Sequence, residues 1–96
     1  MSVNRYLPAA QNVAQAFPGI LAQLGLKPFI SRFVLTETEQ GNAWLFVVLE
    51  VGPLQHPEDY TTTETLHYLS TALQGLPVVI SDSYGLRYAV LLGSVN

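Results

Sequence analysis

The sequence predicts an α+β fold: a two-layer α/β sandwich in αββαββ order, with two helices on one face of a four-stranded, mainly antiparallel sheet. The strongest signal is the apolar run 43–51, which is rich in β-branched and aromatic residues and bounded by Gly-Asn and Gly-Pro. Two other segments repeat apolar residues at helical spacing. Turn residues separate the remaining apolar runs and complete the pattern.

The first helix is predicted over residues 7–25. Val13, Phe17 and Ile20 recur at helical spacing, so one face of this segment is apolar. Pro18 interrupts the segment but not the apolar phase, which predicts a kink or two nearly collinear helices. Gly25 is a natural residue to end the helix.

A hairpin follows the first helix. Residues 29–37 alternate as a strand, and the polar stretch 37–42 leads into the strand 43–51. Residues 52–59 contain two prolines and are predicted to form a loop.

The second helix begins with Thr-Thr-Thr-Glu at 61–64, a capping-box pattern in which Thr61 is the predicted N-cap. Gly75 ends this helix. Two more strands are predicted at 78–81 and 86–92, joined by a tight turn over 82–85.

The run 43–51 is apolar on both faces, which is typical of a strand that is covered on both sides. Two helices can cover only one face of the sheet. The helix-facing residues are predicted to be Phe29, Phe33, Leu35, Leu45, Val47, Leu49, Leu86, Val90 and Leu92. The other face, the predicted interface, contains Ile30, Arg32, Val34, Trp44, Phe46, Val48, Glu50, Arg87, Ala89 and Leu91. An apolar patch of this kind indicates a homodimer, and the alternative is that a terminal segment or the 53–60 loop covers it.

Composition excludes several classes of function. The 96 residues are predicted to form a single domain, 1–96, and only 11% of them are charged, against about 25% in a typical soluble domain. The net charge of −3, with four basic residues, argues against binding to nucleic acid or to an anionic membrane. The N-terminal residues lack a signal-peptide core, so we expect a cytoplasmic protein.

Candidate catalytic or metal-binding groups are few. The chain has no cysteine, which excludes disulfides, thiolate catalysis and cysteine-ligated zinc. His56, Glu58, Asp59 and His67 are the side chains with suitable chemistry, and their spacing matches no metal motif. We therefore predict no metal, no cofactor and no catalytic residue, although a dimer can assemble a catalytic site from both subunits.

The resulting functional prediction is a small, non-enzymatic protein-interaction module that self-associates and binds another protein. Its size, acidity and element order are like those of assembly or secretion chaperones and adaptor subunits, with no motif that identifies a family. One alternative is an enzyme or ligand-binding domain with a pocket at a dimer interface near His56, Asp59 and Tyr84. Another is an RNA-binding sheet that stacks bases on Trp44 and Phe46.

Overall fold

The computed structural model describes residues 3–50, 52–81 and 86–94. A 3₁₀ turn over Val3–Tyr6 leads into the first helix, and a second 3₁₀ turn over Pro57–Tyr60 precedes the second helix. The helices are α1 (Leu7–Gln23) and α2 (Thr63–Ala72). The strands are β1 (Ile30–Glu37), β2 (Asn42–Leu49), β3 (Val78–Ile80) and β4 (Arg87–Ser94). The predicted α+β fold in αββαββ order is confirmed, and the predicted turn 82–85 lies outside the described residues.

The four strands form one antiparallel sheet in the order β1-β2-β4-β3. β1 and β2 make the predicted hairpin, with Val34 opposite Phe46. β4 lies on the other side of β2, with Ala89 opposite Phe46, and β3 is the second edge. β2 is thus a central strand, as its two apolar faces suggested.

The hydrophobic core lies between the helices and one face of the sheet. Tyr88, Phe17 and Leu21 are among its largest fully buried side chains, and the rings of Phe17 and Tyr88 lie 5.3 Å apart. Tyr60, which sequence reasoning left at the end of a loop, is also part of this core and is 4% exposed. The 3₁₀ turn before α2 therefore packs on the helix side of the sheet.

The helix α1 continues through Pro18, whose missing N–H removes one hydrogen bond without ending the helix. Its buried residues, including Val13, Phe17 and Ile20, follow the predicted spacing. The helix ends as predicted, because Gly25 adopts a positive φ of 77° and the main-chain N–H of Leu26 donates to the oxygen of Leu21.

The helix α2 begins one residue later than its capping pattern predicted. Thr62, not Thr61, is the N-cap, and its side-chain oxygen accepts from the main-chain N–H of Thr65 at 3.0 Å. Thr61 is instead exposed, and its hydroxyl donates to the main-chain oxygen of Glu58. The hydroxyl of Thr65 donates to the main-chain oxygen of Asp59, and this bond fixes the start of the helix against the preceding turn. The predicted cap at Thr61 is therefore wrong by one residue.

Ile30 was predicted on the face opposite the helices, and a β-bulge in β1 places it on the helix side instead. Ile30 lies opposite Leu49 and Arg32 lies opposite Val48, so Ser31 is an extra residue in β1. A bulge breaks the two-residue alternation, and Ile30 therefore packs against the core instead of on the opposite face. Arg32 and Val34 keep their predicted side of the sheet.

Neither of the two described helices combines the length and apolar character needed to cross a bilayer.

Candidate functional site

The face of the sheet opposite the helices is the candidate site. We call it the open face, and it consists of Arg32, Val34, Thr36, Trp44, Phe46, Val48, Val79, Arg87, Ala89 and Leu91. These residues alternate along their strands with the core residues, so the sheet register places them on one surface. Both described helices and the Pro57–Tyr60 turn lie on the other side.

An apolar row crosses the middle of the open face. Val34, Phe46, Ala89 and Val79 are direct cross-strand neighbours, one from each strand. The two outer members, Val34 and Val79, are 36% and 45% exposed, whereas Ala89 in the centre is only 2% exposed. The row is therefore apolar in all four strands, and the surface that it exposes comes mainly from Val34, Phe46 and Val79.

Arg87 lies against this row and is held in place within the chain. Its guanidinium carbon lies 4.5 Å from the centroid of the Phe46 ring, which is a cation–π contact. Its Nε donates to the main-chain oxygen of Ser81 at 2.8 Å, and Nη2 donates to the Ser81 hydroxyl at 3.2 Å. Since Arg87 occupies one side of the Phe46 ring, that side is not available for stacking a base.

The two ends of the open face differ in chemistry. At one end, Val48 lies between Arg32 and Arg87, so half of the four basic side chains of the protein share one row. At the other end, Trp44 lies between Thr36 and Leu91, and this row has no charge. The face is thus apolar in the middle, cationic at one end and aromatic at the other.

Sequence reasoning assigned most of this surface correctly but missed two of its residues. Val79 and Thr36 lie on the open face, and the alternation of Val78, Val79 and Ile80 was the available signal for Val79. Ile30 lies on the core side, and Glu50 is an exposed residue just after β2. The other eight predicted residues lie together on the open face.

A second candidate site is an open cavity of about 210 Å³ beside the 52–60 loop. Lys27, His56 and Asp59 are among its charged or polar lining residues, and Leu26 and Phe29 are among its apolar ones. Nδ1 of His56 lies 3.4 Å from a carboxylate oxygen of Glu58, and both side chains are 71% exposed.

A hydrogen bond joins two of the residues that line the cavity. The hydroxyl of Tyr60 donates to the main-chain oxygen of Lys27 at 2.7 Å, and burial raises the pKa of Tyr60 above its usual value. His67 does not approach this cavity, because it lies on the exposed side of α2. Tyr84, the third residue of the predicted pocket, lies outside the described residues.

Within residues 3–50, 52–81 and 86–94, no three His, Cys, Asp or Glu side chains come together as a metal site would require. No protein-family model, curated protein or solved structure is significantly similar to the chain. The open face and the cavity are therefore the two surfaces of the molecule that bear on its function.

Proposed function

We propose that this protein is a non-enzymatic protein-interaction module that forms a homodimer through its open face. The observation that carries the proposal is the apolar row of Val34, Phe46, Ala89 and Val79, which crosses all four strands without a covering element among the described helices and turns. Covering such a row removes apolar area from water, which is the main favourable term in most protein association.

Composition supports a second copy as the covering partner. Only 11% of the residues are charged, so the surface has little of the charge that keeps small proteins apart. A self-complementary patch on a two-fold axis is the commonest way in which soluble proteins oligomerise. The open face also has the two partners of a cation–π contact, since Arg32 and Arg87 lie at one end and the indole of Trp44 lies at the other.

The distribution of charge favours one orientation of the two copies. If the strands of the second copy ran in the same direction, the rows containing Arg32 and Arg87 would face each other and repel. If they run in the opposite direction, each cationic row faces the Thr36–Trp44–Leu91 row of the other copy. Trp44 then lies between two guanidinium groups, which is a favourable cation–π arrangement. We therefore propose that the strands of the two copies are antiparallel across the interface.

The proposed dimer would also bind a second, different protein. Small acidic dimers with this order of elements include assembly or secretion chaperones and adaptor subunits, and we propose a role of that general class for this chain in the cytoplasm. The exposed partner-binding surface would then be separate from the open face, which the second copy covers.

Light scattering behind size exclusion, run over a range of protein concentrations, tests the dimer directly. We expect a mass near twice 10.5 kDa at micromolar concentration, falling towards 10.5 kDa on dilution. A single species of 10.5 kDa at every concentration would contradict the proposal.

The cavity beside the 52–60 loop favours a second candidate, the binding of a small ligand. Its combination of apolar walls with Lys27, His56 and Asp59 is the usual make-up of a ligand site. Native mass spectrometry of the purified protein distinguishes the two functions, since a co-purified metabolite supports the second and a ligand-free dimer supports the first.

A further inference from the structure

The sheet has two edge strands, β1 and β3, and they differ in length. β1 ends the strand order β1-β2-β4-β3 and is eight residues long, whereas β3 at the opposite edge has three. In the part of the chain that the structure describes, no strand pairs with this outer edge. Of the features that commonly protect natural edges, Ile30–Glu37 lacks proline, lysine and short length, but it has the bulge at Ser31 and the charges of Arg32 and Glu37.

The register identifies which main-chain groups of β1 point outwards. The N–H of Thr38 donates to the oxygen of Asn42 at 2.8 Å, which makes this pair a hydrogen-bonded one. Hydrogen-bonded pairs alternate along an antiparallel ladder, so Thr36 and Val34 also direct their main-chain groups to β2. The N–H and C=O groups of Phe33 and Leu35 therefore point away from the sheet.

We propose that the β1 edge binds an extended segment of another protein, which adds to the sheet as a fifth strand antiparallel to β1. The unpaired groups of Phe33 and Leu35 specify an extended backbone, because only a strand presents donors and acceptors at the matching interval. This site goes beyond the proposed dimer, since the edge of β1 and the open face are different surfaces of the sheet.

Charge on β1 specifies the order of residues in the incoming segment. Arg32 is exposed on the open-face side of one end. Glu37 lies at the other end with its side chain on the helix side, and its Oε1 is buried without a hydrogen-bond donor among the described residues. An antiparallel segment complements both with a basic residue opposite Glu37 and an acidic residue opposite Arg32, separated by apolar residues.

The same charges argue against a second copy at this edge. Paired residues in an antiparallel ladder point to the same face of the sheet. Arg32 and Glu37 point to opposite faces, so they cannot lie opposite each other when two β1 strands pair. Self-pairing therefore leaves both charges without a counter-ion, whereas a segment of different sequence supplies one for each.

The test uses a synthetic peptide, acetyl-Lys-Thr-Val-Val-Val-Glu-amide, titrated into the protein by calorimetry and NMR. Its first residue is designed to face Glu37, its third Leu35, its fifth Phe33 and its sixth Arg32. We expect a Kd of about 1 mM, which is near the weak limit of these measurements. Bound peptide should also slow hydrogen exchange at the amides of Phe33 and Leu35.

Backbone N-methylation provides the matched control. The third peptide residue faces β1 and the fourth faces solvent, so methylating the third nitrogen should weaken binding about tenfold or more by removing a strand hydrogen bond. Methylating the fourth nitrogen should leave affinity within about twofold, because no hydrogen bond to β1 is lost. The reversed peptide, Glu-Val-Val-Val-Thr-Lys, should bind more weakly because it places like charges opposite Arg32 and Glu37.

Absence of binding, equal effects of the two methylations, or unchanged exchange at Phe33 and Leu35 would overturn the proposal. Concentration-dependent protection of these amides without peptide would assign the edge to a second copy and also overturn it. Repeating the titration with Phe46→Glu separates the two proposals. Phe46→Glu is expected to be monomeric and still to bind the peptide. A wild-type protein that is monomeric yet binds the peptide disproves the open-face dimer alone, and a wild-type dimer that does not bind it disproves the edge site alone.

Discussion

The phenol of Tyr88 donates a 2.6 Å hydrogen bond to the main-chain oxygen of Tyr60, and both residues are almost completely buried. Tyr60 in turn donates to the main-chain oxygen of Lys27 at 2.7 Å. These two bonds connect β4, the turn before α2 and the segment between α1 and β1. The loop beside the cavity is thereby anchored to the core.

Tyr88→Phe is expected to destabilise the protein while keeping the ring that packs on Phe17. It leaves the buried oxygen of Tyr60 without its donor, which costs about 1–3 kcal/mol of unfolding free energy. Urea denaturation at neutral pH measures this loss. Tyr6→Phe, at a half-buried tyrosine outside this chain of bonds, is the control and should have a smaller effect.

Tyr88→Phe should also change how the free energy of unfolding depends on pH in the alkaline range. Burial raises the pKa of Tyr88 well above its usual value, so the folded state keeps a proton that the unfolded chain releases above about pH 10. The stabilisation is complete below that pH and decreases as pH rises, by up to about 1.4 kcal/mol per pH unit. Tyr88→Phe should have a shallower decrease above pH 10, and an identical slope in the two proteins would contradict this assignment.

The N-cap of α2 gives a stability prediction with a neighbouring control. Thr62→Ala removes the oxygen that accepts from the N–H of Thr65 and should cost about 1 kcal/mol. For a domain of this size, that corresponds to a decrease in Tm of roughly 4–8 °C. Thr61→Ala should change Tm much less, because the exposed Thr61 hydroxyl does not cap the helix. Equal effects of the two substitutions would contradict the assigned cap.

Phe46→Glu tests the open face without cutting into the core. A carboxylate placed under a second copy loses its hydration, at a cost of several kcal/mol that the subunits avoid by separating. We expect a folded protein of half the wild-type mass by light scattering. Val47→Glu is the control on the other side of β2, where Val47 is completely buried, and it should unfold the domain. Unfolding by both variants would mean that the open face is covered within one chain.

Engineered cysteines test the antiparallel arrangement of the two copies, since the natural chain has none. With opposed strands, Cys at position 32 of one copy lies near Cys at position 36 of the other. A mixture of Arg32→Cys and Thr36→Cys should therefore be joined into a heterodimer by a short bis-maleimide, whose two ends each add to one thiol across the roughly 10 Å between stacked sheets. Each variant alone should cross-link poorly, because like positions are about 14 Å apart along the strand. Efficient self-cross-linking at either position would indicate parallel strands.

Metal content checks the prediction that neither histidine is a ligand. The exposed His56 is paired with Glu58, and His67 lies on the exposed side of α2. Elemental analysis of the purified protein should therefore find zinc and iron well below one equivalent. A near-stoichiometric metal that is lost in His56→Ala or His67→Ala would contradict the prediction.

Local patterns in the sequence determined the type and order of the elements, because helical and strand periodicities are properties of short segments. The apolar run 43–51 indicated a central strand, and Gly25 with its positive φ marked the end of α1. Alternation alone placed eight of the ten predicted interface residues on the open face, since a regular strand sends every second side chain to the same face.

Only the tertiary structure decided the features that depend on distant parts of the chain. The position of β4 beside β2 arises from long-range pairing, which leaves no local signal in either strand. The bulge at Ser31 moves Ile30 to the core because the pairing with β2 shifts there. Thr62 becomes the cap because Thr65 bonds to the preceding turn, and Tyr60 is buried because Tyr88 meets its main chain. Except for the cap, whose contacts lie within residues 59–65, each of these outcomes depends on contacts between segments that are distant in the sequence.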